Sequence, residues 1–387
     1  MSRLAIVSTH PIQYYAPIFQ KLTQQNPDTK VFYTWGEGSI KKYDPDFKRE
    51  IEWDIPLLEG YHYEFLENSS SRPGTSHFRG IVNPNAIEAI KQFNPDAILV
   101  YGWSWHSHLK IIRHFSGKKA VWFRGDSTCV DETKWYKEAV RKIILRWIYH
   151  HVDLAFYVGG ENKKYFRRYG LKKDQLRFAP HAIDNGRFAG DYAEQVQKLR
   201  GELGIPSAGV LLLFAGKLEP KKDPLTLLRA FELLDTNGVY LLFVGNGVQE
   251  TQLKRKAKES IKQPFIRFLD FQNQSIMPAI YQAAQLVCLP SAGPGETWGL
   301  AVNEAMAAGR AVVVSDKVGC GTDLVKYGIN GAIFKHGDER DLAVTLQQLL
   351  QDKDQLTKFG QASRQIIENW SFDSQVSAIL NELNQLS

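Results

Sequence analysis

Short apolar runs separated by helical patterns recur along this chain, and that alternation restricts the fold more than any other feature. One set lies at residues 4–7, 30–34, 97–101, 120–123 and 154–158. A second lies at 210–215, 239–244, 266–269, 286–289 and 311–315. Runs without polar alternation suit strands buried on both faces, as in a parallel sheet. Crossover helices must then join them. The stretch PHAIDNGRFAGDYAEQ between the sets is polar and turn-rich, which places a hinge near residues 185–191. The expected architecture is α/β. It has two doubly wound domains, residues 1–187 and 188–370, and a helix over 371–387. Val376, Ile379, Leu380 and Leu383 give that last segment an amphipathic spacing.

Hydrophobic residues make up 43% and charged residues 23%, which excludes a disordered or low-complexity chain. The net charge of +6 favours anionic partners such as phosphates or acidic lipids. It is too dilute to argue for nucleic acid. Cys129, Cys288 and Cys320 are odd in number and far apart, without metal-ligand spacing or a disulfide framework. A reducing compartment fits them best. The apolar run near the N-terminus is too short for a signal peptide, and no segment reaches the ~18 apolar residues of a spanning helix. The expected location is cytoplasmic, either free or peripheral on the inner face of a membrane.

Two segments carry chemistry. After the run at 210–215 comes GKLEPKKDPLTLLRAF, in which Asp223 and Pro224 form an N-cap and first-turn pair. Residues 216–222 are therefore a strand-to-helix loop at the carboxyl end of a parallel strand, where open α/β sheets bind ligands. Lys217, Lys221 and Lys222 make it an anion site or a solvated charged loop. The second segment is GPGETWGLAVNEAMAAG, residues 293–309. A Gly/Pro turn delivers Glu296, a helix begins near Trp298, and Gly309 stops it. Glu304 lies about two turns inside. Two carboxylates flanking a helix start suit sugar and ribose hydroxyls, or else are ordinary surface charges.

FAGKLEPKKDPLTLLRAF, LLFVGNG, IRFLDF and LPSAGPGETWGLAVNEAMAAG, in this order, resemble a family 4 glycosyltransferase. The resemblance covers the second domain, extends to PHAIDNGRF, and is looser over the first. It implies the GT-B fold, two Rossmann-like domains facing an interdomain cleft, with the C-terminal helix crossing back to the N-terminal domain. It implies a retaining, metal-independent enzyme of the hexosyltransferase type. The sugar would pass from a UDP- or GDP-sugar co-substrate to a glycan or lipid-linked acceptor, with no cofactor. Lys217 and Lys222 would hold the donor diphosphate, Glu296 the transferred sugar and Glu304 the ribose. Gly216, Gly245, Thr297, Trp298, Gly299 and Leu300 would line the donor site. The alternatives are a GT-B phosphorylase or epimerase, and a non-catalytic sugar-nucleotide or glycan-binding protein.

Weaker signals remain. HPIQYYAP stands where the family often carries glycines. His10, Gln13, Tyr14 and Tyr15 there either bind acceptor or donor phosphate, or His10 caps a helix and the tyrosines pack. His106, in YGWSWHSH, and Arg124, in RGD, are further residues of that kind. Gly245-Asn-Gly247 lacks the third glycine of a dinucleotide fingerprint, because Glu250 occupies its place. Asp44-Pro-Asp46 matches a metal-binding D-x-D but reads as a Pro turn. The basic, aromatic stretch 134–151 is either a helix docking on an anionic membrane or a helix whose apolar face is core.

Overall fold

The structure is a computed structural model. It describes residues 2–39, 42–44, 49–51, 54–131, 134–235 and 237–386. In chain order the strands are β1 (Leu4–Ser8), β2 (Thr29–Tyr33), β3 (Lys42–Asp44), β4 (Arg49–Ile51), β5 (His62–Phe65), β6 (Ala97–Tyr101), β7 (Ala120–Arg124), β8 (Leu154–Tyr157) and β9 (Leu176–Phe178). They continue as β10 (Val210–Ala215), β11 (Val239–Val244), β12 (Ile266–Leu269), β13 (Leu286–Leu289), β14 (Ala311–Ser315) and β15 (Gly331–Phe334).

Two parallel sheets result, as the apolar runs require. The first has seven strands in the order β5-β2-β1-β6-β7-β8-β9, and the second has six in the order β12-β11-β10-β13-β14-β15. Each order runs outward from its first strand and then restarts on the other side. The reversal falls between β1 and β6 in one sheet and between β10 and β13 in the other. The connections that follow those paired strands leave in opposite directions, which opens a crevice at their carboxyl ends. Strands β3 and β4 form a separate pair.

Contacts divide the chain into two units. One runs to His181 and takes back the segment from Phe372 onward, and the other is Ala182–Ser371 with a short piece near β3 and β4. The sequence-based division after Arg187 lies a few residues further on. The helix Asn185–Ala189 belongs to the second unit for a local reason. The Asn185 amide donates to the carbonyls of Ile367 and Trp370, and Arg187 donates to Gln274. The C-terminal helix Phe372–Asn384 packs in the first unit. Its Phe372, Gln375, Val376, Ile379 and Leu383 are buried, and Asp373 meets Lys21 at 2.7 Å.

His108 fixes the switch point of the first sheet. Its Nδ1 faces the carbonyls of Tyr101 and Gly102 at 3.1 and 2.9 Å, so that nitrogen carries the hydrogen. Its Nε2 then accepts from the Thr34 hydroxyl at 2.8 Å. Burial holds this imidazole down to about 4, and burial beside the Arg124 charge does the same to His181. The unfolded chain binds a proton near pH 6.5, well before the folded one does. Stability is therefore complete above about pH 6.5 and falls as the pH drops toward 4, by up to roughly 3 kcal/mol for each histidine. Unfolding midpoints measured from pH 7 to 4.5 should show the fall, and His108→Gln should flatten it. An unchanged slope in that variant would contradict the assignment.

Candidate functional site

In the second unit the reversal of strand order brings two loops together. Strand β10 ends at Ala215, and its pairing with β11 continues into the loops. The amide of Gly216 donates to Val244, and that of Leu218 to Asn246, both at 3.0 Å. At Gly245 (φ +127°) a Cβ would stand 2.2 Å from the Gly216 carbonyl oxygen. At Gly247 a Cβ would stand 2.4 Å from that of Leu218. The Gly245-Asn-Gly247 motif is therefore the place where one loop crosses another at backbone contact, and only glycine fits.

The 216–222 loop ends in the expected cap. Asp223 takes a left-handed conformation and accepts from the Thr226 amide at 3.2 Å and the Thr226 hydroxyl at 2.6 Å. Helix Pro224–Glu232 follows. Lys217 and Lys222 precede it, both half-buried. The facing loop leaves β13. It is tied to the first loop by the Ala292 amide, which donates to the Lys221 carbonyl at 2.9 Å.

Here the two predicted groups meet. Lys222 Nζ lies 2.5 Å from Glu296 Oε2, with only 7% of the carboxylate side chain exposed. The Ser291 hydroxyl donates to the same oxygen at 2.9 Å. The sequence reading gave these residues separate tasks, and the structure adds that they form one ion pair. Backbone pairing locks the acid in place. Gly319 donates to the Glu296 carbonyl at 3.1 Å, and Cys320 to that of Trp298 at 2.9 Å. A Cβ at Gly319 would stand 1.8 Å from the Thr297 carbonyl oxygen, so glycine is required there too. Burial, aided by the Glu296 carboxylate, pushes the Cys320 thiol well up and keeps it protonated.

The helix after this loop is Leu300–Ala307. It starts two residues beyond the expected Trp298 because Gly299, at φ +98°, cannot carry helical backbone. Gly299 supplies no side-chain cap, an arrangement that presents first-turn amides to an anion. Trp298 is buried, its indole donating to Asn303 at 2.8 Å. Glu304 is also buried, and its Oε2 accepts from the Tyr281 hydroxyl at 2.8 Å. Lys222, Glu296, the helix start and Glu304 thus stand on or beside the two loops and one helix at the switch point.

The first unit has its own pocket of about 160 Å³ at the carboxyl ends of β1, β6 and β7, lined by Thr9, Tyr15, Tyr101, Arg124, Asp126 and His181 among others. Arg124 is almost fully buried. It donates to the carbonyls of Ala179 and Pro180 at 2.8 and 3.1 Å and to Gln375 at 3.1 Å. The guanidinium therefore fastens the C-terminal helix while also lining the pocket. His10 is beside the pocket, its Nδ1 2.8 Å from the Thr9 hydroxyl and its ring edge-on to Trp35. Gln13 is half-buried in the turn before helix Ala16–Gln25. His106 does not reach the pocket. It opens helix His106–Phe115, packs edge-on against Phe78, and buries Nδ1 without a hydrogen-bond partner among the described residues.

Tyr15, one of the tyrosines of HPIQYYAP, lines the pocket, and so does His181, which was not singled out in the sequence. Burial and the Asp126 carboxylate push the Tyr15 hydroxyl up. Among the described residues no group of three or more His, Cys, Asp or Glu stands close enough to hold a metal ion. Asp44 ends β3, and Asp46 lies outside the described residues.

Residues 195–366 match the family model described as "Glycosyl transferases group 1". The chain is 31% identical over 227 residues to the D-inositol 3-phosphate glycosyltransferase of Salinispora arenicola, covering 55% of this chain and 50% of that protein. It is also 31% identical over 211 residues to the enzyme of that name from Nocardia farcinica, covering 52% and 45%. The chain thus spans about half the length of the curated relatives it matches. Among solved structures, Anabaena HepE in complex with UDP and glucose superposes with a TM-score of 0.73 at 17% identity over the whole of both chains. Sucrose-phosphate synthase from Thermosynechococcus elongatus gives 0.75 at 17% identity, covering all of this chain and 99% of that one. At such identity the likeness concerns the fold, which is GT-B, built from two Rossmann-like parallel sheets.

Proposed function

We propose that this chain is a retaining, metal-independent family 4 glycosyltransferase of the hexosyl type. It moves a sugar from a UDP- or GDP-sugar to a glycan or lipid-linked acceptor, on the cytoplasmic side of a membrane. The observation that carries the reading is the Lys222–Glu296 pair at the switch point of the second sheet, on the loop that also carries Lys217. The match of residues 195–366 to the glycosyltransferase model and the UDP complex of the HepE fold support it.

As the glycosidic bond breaks, negative charge gathers on the departing diphosphate. Lys217, Lys222 and the uncapped helix start at Gly299 stabilise that charge in place. These groups supply the positive charge that a divalent cation would otherwise provide. Glu296 accepts hydrogen bonds from the hydroxyls of the transferred sugar, and Glu304 from those of the ribose. The acceptor oxygen attacks the anomeric carbon on the face the diphosphate leaves, and its proton passes to a departing phosphate oxygen. The first unit, with Tyr15, Asp126 and His181 around its pocket, is the acceptor side.

Melting the protein with UDP, GDP, ADP and their sugars tests the donor. A ligand at 100 times its Kd adds about 2.7 kcal/mol to the native state. For a unit of this size that raises the midpoint by roughly 5–10 °C. The matching donor should then turn over, with slow hydrolysis when acceptor is withheld, in the presence of chelator. No shift with any nucleotide would sink the donor reading, and a strict Mn²⁺ or Mg²⁺ requirement would sink its metal independence. Binding without turnover or hydrolysis would mark a non-catalytic protein.

A further inference from the structure

Helix Trp135–Tyr149 has two apolar faces, and the protein uses one of them. Leu145, Ile148 and Tyr149 are buried in the core of the first unit. On the opposite side Tyr136, Val140, Ile143 and Trp147 follow one another at intervals of four, three and four residues, a single stripe at 100° per residue. They are 47%, 56%, 72% and 45% exposed. Ile144, also exposed, widens the stripe.

Cations border it on both sides. By the same rotation Lys137 flanks the stripe on one side and Arg146 on the other, with Arg141 and Lys142 set further back toward the core-facing side, all four exposed. The Arg113 guanidinium lies 5.1 Å from the Trp147 ring and adds charge at one end. The helix has one acid, Glu138, which turns away from the stripe and pairs with Arg168.

An apolar stripe between cationic borders selects its occupant by charge. Twofold pairing with a second copy would set cations against cations with no carboxylate between them. An anionic bilayer satisfies both parts. The stripe enters the acyl boundary, while the lysine and arginine stems reach back to the phosphates. We propose that this helix lies in the plane of an anionic membrane and docks the first unit there by insertion as well as by charge. The docking does not depend on the sugar chemistry proposed above, and its test needs no nucleotide.

The full chain is sedimented with phosphatidylcholine vesicles, pure or mixed with phosphatidylglycerol. The parent should bind only the mixed vesicles. Val140→Ser with Ile143→Ser, both at exposed positions, should weaken binding at least about tenfold. Each basic residue near an anionic surface strengthens binding by roughly fivefold, so Lys137→Glu with Lys142→Glu should weaken it at least about 25-fold. Added salt should weaken the parent by screening. Circular dichroism and melting should match the parent in both variants. Equal binding of pure and mixed vesicles by the parent, or undiminished binding by the serine variant, would overturn the proposal. So would a parent that is dimeric by light scattering and a serine variant that is monomeric, because the stripe would then serve a second copy.

Discussion

Replacing Lys217 and Lys222 together by alanine is expected to slow sugar transfer by roughly 10²–10⁴-fold. One charge-assisted hydrogen bond to phosphate is worth about 1.5–3 kcal/mol, and two act on the same leaving group. The two lysines should differ in a second respect. Lys222 is ion-paired to a carboxylate with little access to water, so Lys222→Ala strands the Glu296 charge. Stranding a charge in a fully buried pair costs about 3–5 kcal/mol. Part of the Lys222 side chain reaches solvent, which reduces the cost here to about 1–3 kcal/mol. Adding Glu296→Gln should restore much of that stability without restoring turnover. The cycle is read by denaturant unfolding and by initial rates. Turnover near normal in the double lysine variant would remove these residues from the diphosphate site. Stability that is no better in Lys222→Ala/Glu296→Gln than in Lys222→Ala would show that the pair carries no coupling.

The two glutamates should separate as cleanly. Glu296→Gln keeps the size of the side chain and loses its charge, so the transferred sugar is held less well and turnover falls by about 100-fold. The same change releases Lys222 from its carboxylate. Affinity for the free nucleoside diphosphate should therefore stay level or rise. Glu304→Gln acts on ribose, common to donor and diphosphate, and should weaken both by about tenfold. Calorimetry with the diphosphate and with the intact donor distinguishes the two. If both variants lost diphosphate affinity equally, the division of labour between the acids would be wrong.

Much of this arrangement could be read along the chain because its causes are local. Strands such as β1, β6, β10 and β14 are apolar at nearly every position, since both faces of a central parallel strand are covered. Strands β5, β9 and β15 escaped the reading for the converse reason. They sit at sheet edges, are three or four residues long, and leave some side chains in solvent. HYEF and LRF mix in charged or polar residues, and GAIF, though apolar, is only four residues long and opens on glycine, so none of the three stands out. Asp223, Pro224, Glu296 and the glycines around them are marked by turn and cap chemistry within a few residues. The Lys222–Glu296 bond is a tertiary fact. So is the convergence of Tyr15, Asp126 and His181, which arrive on three separate loops. Helix Trp135–Tyr149 shows another limit. Periodicity reveals that a helix has apolar stripes but not which of two stripes the protein covers.

The return of the chain at Phe372 sets an order of events during synthesis. The place of Gln375 beside Arg124, and of Asp373 beside Lys21, is filled by residues translated after the whole of the second unit. Apart from its short piece near β3 and β4, the second unit is the single stretch Ala182–Ser371, so that stretch can close as soon as it leaves the ribosome. The first unit, although its strands are made earlier, waits with the Arg124 guanidinium short of one acceptor and the face of helix Ala16–Gln25 uncovered. The nascent protein therefore finishes the part made second before the part made first.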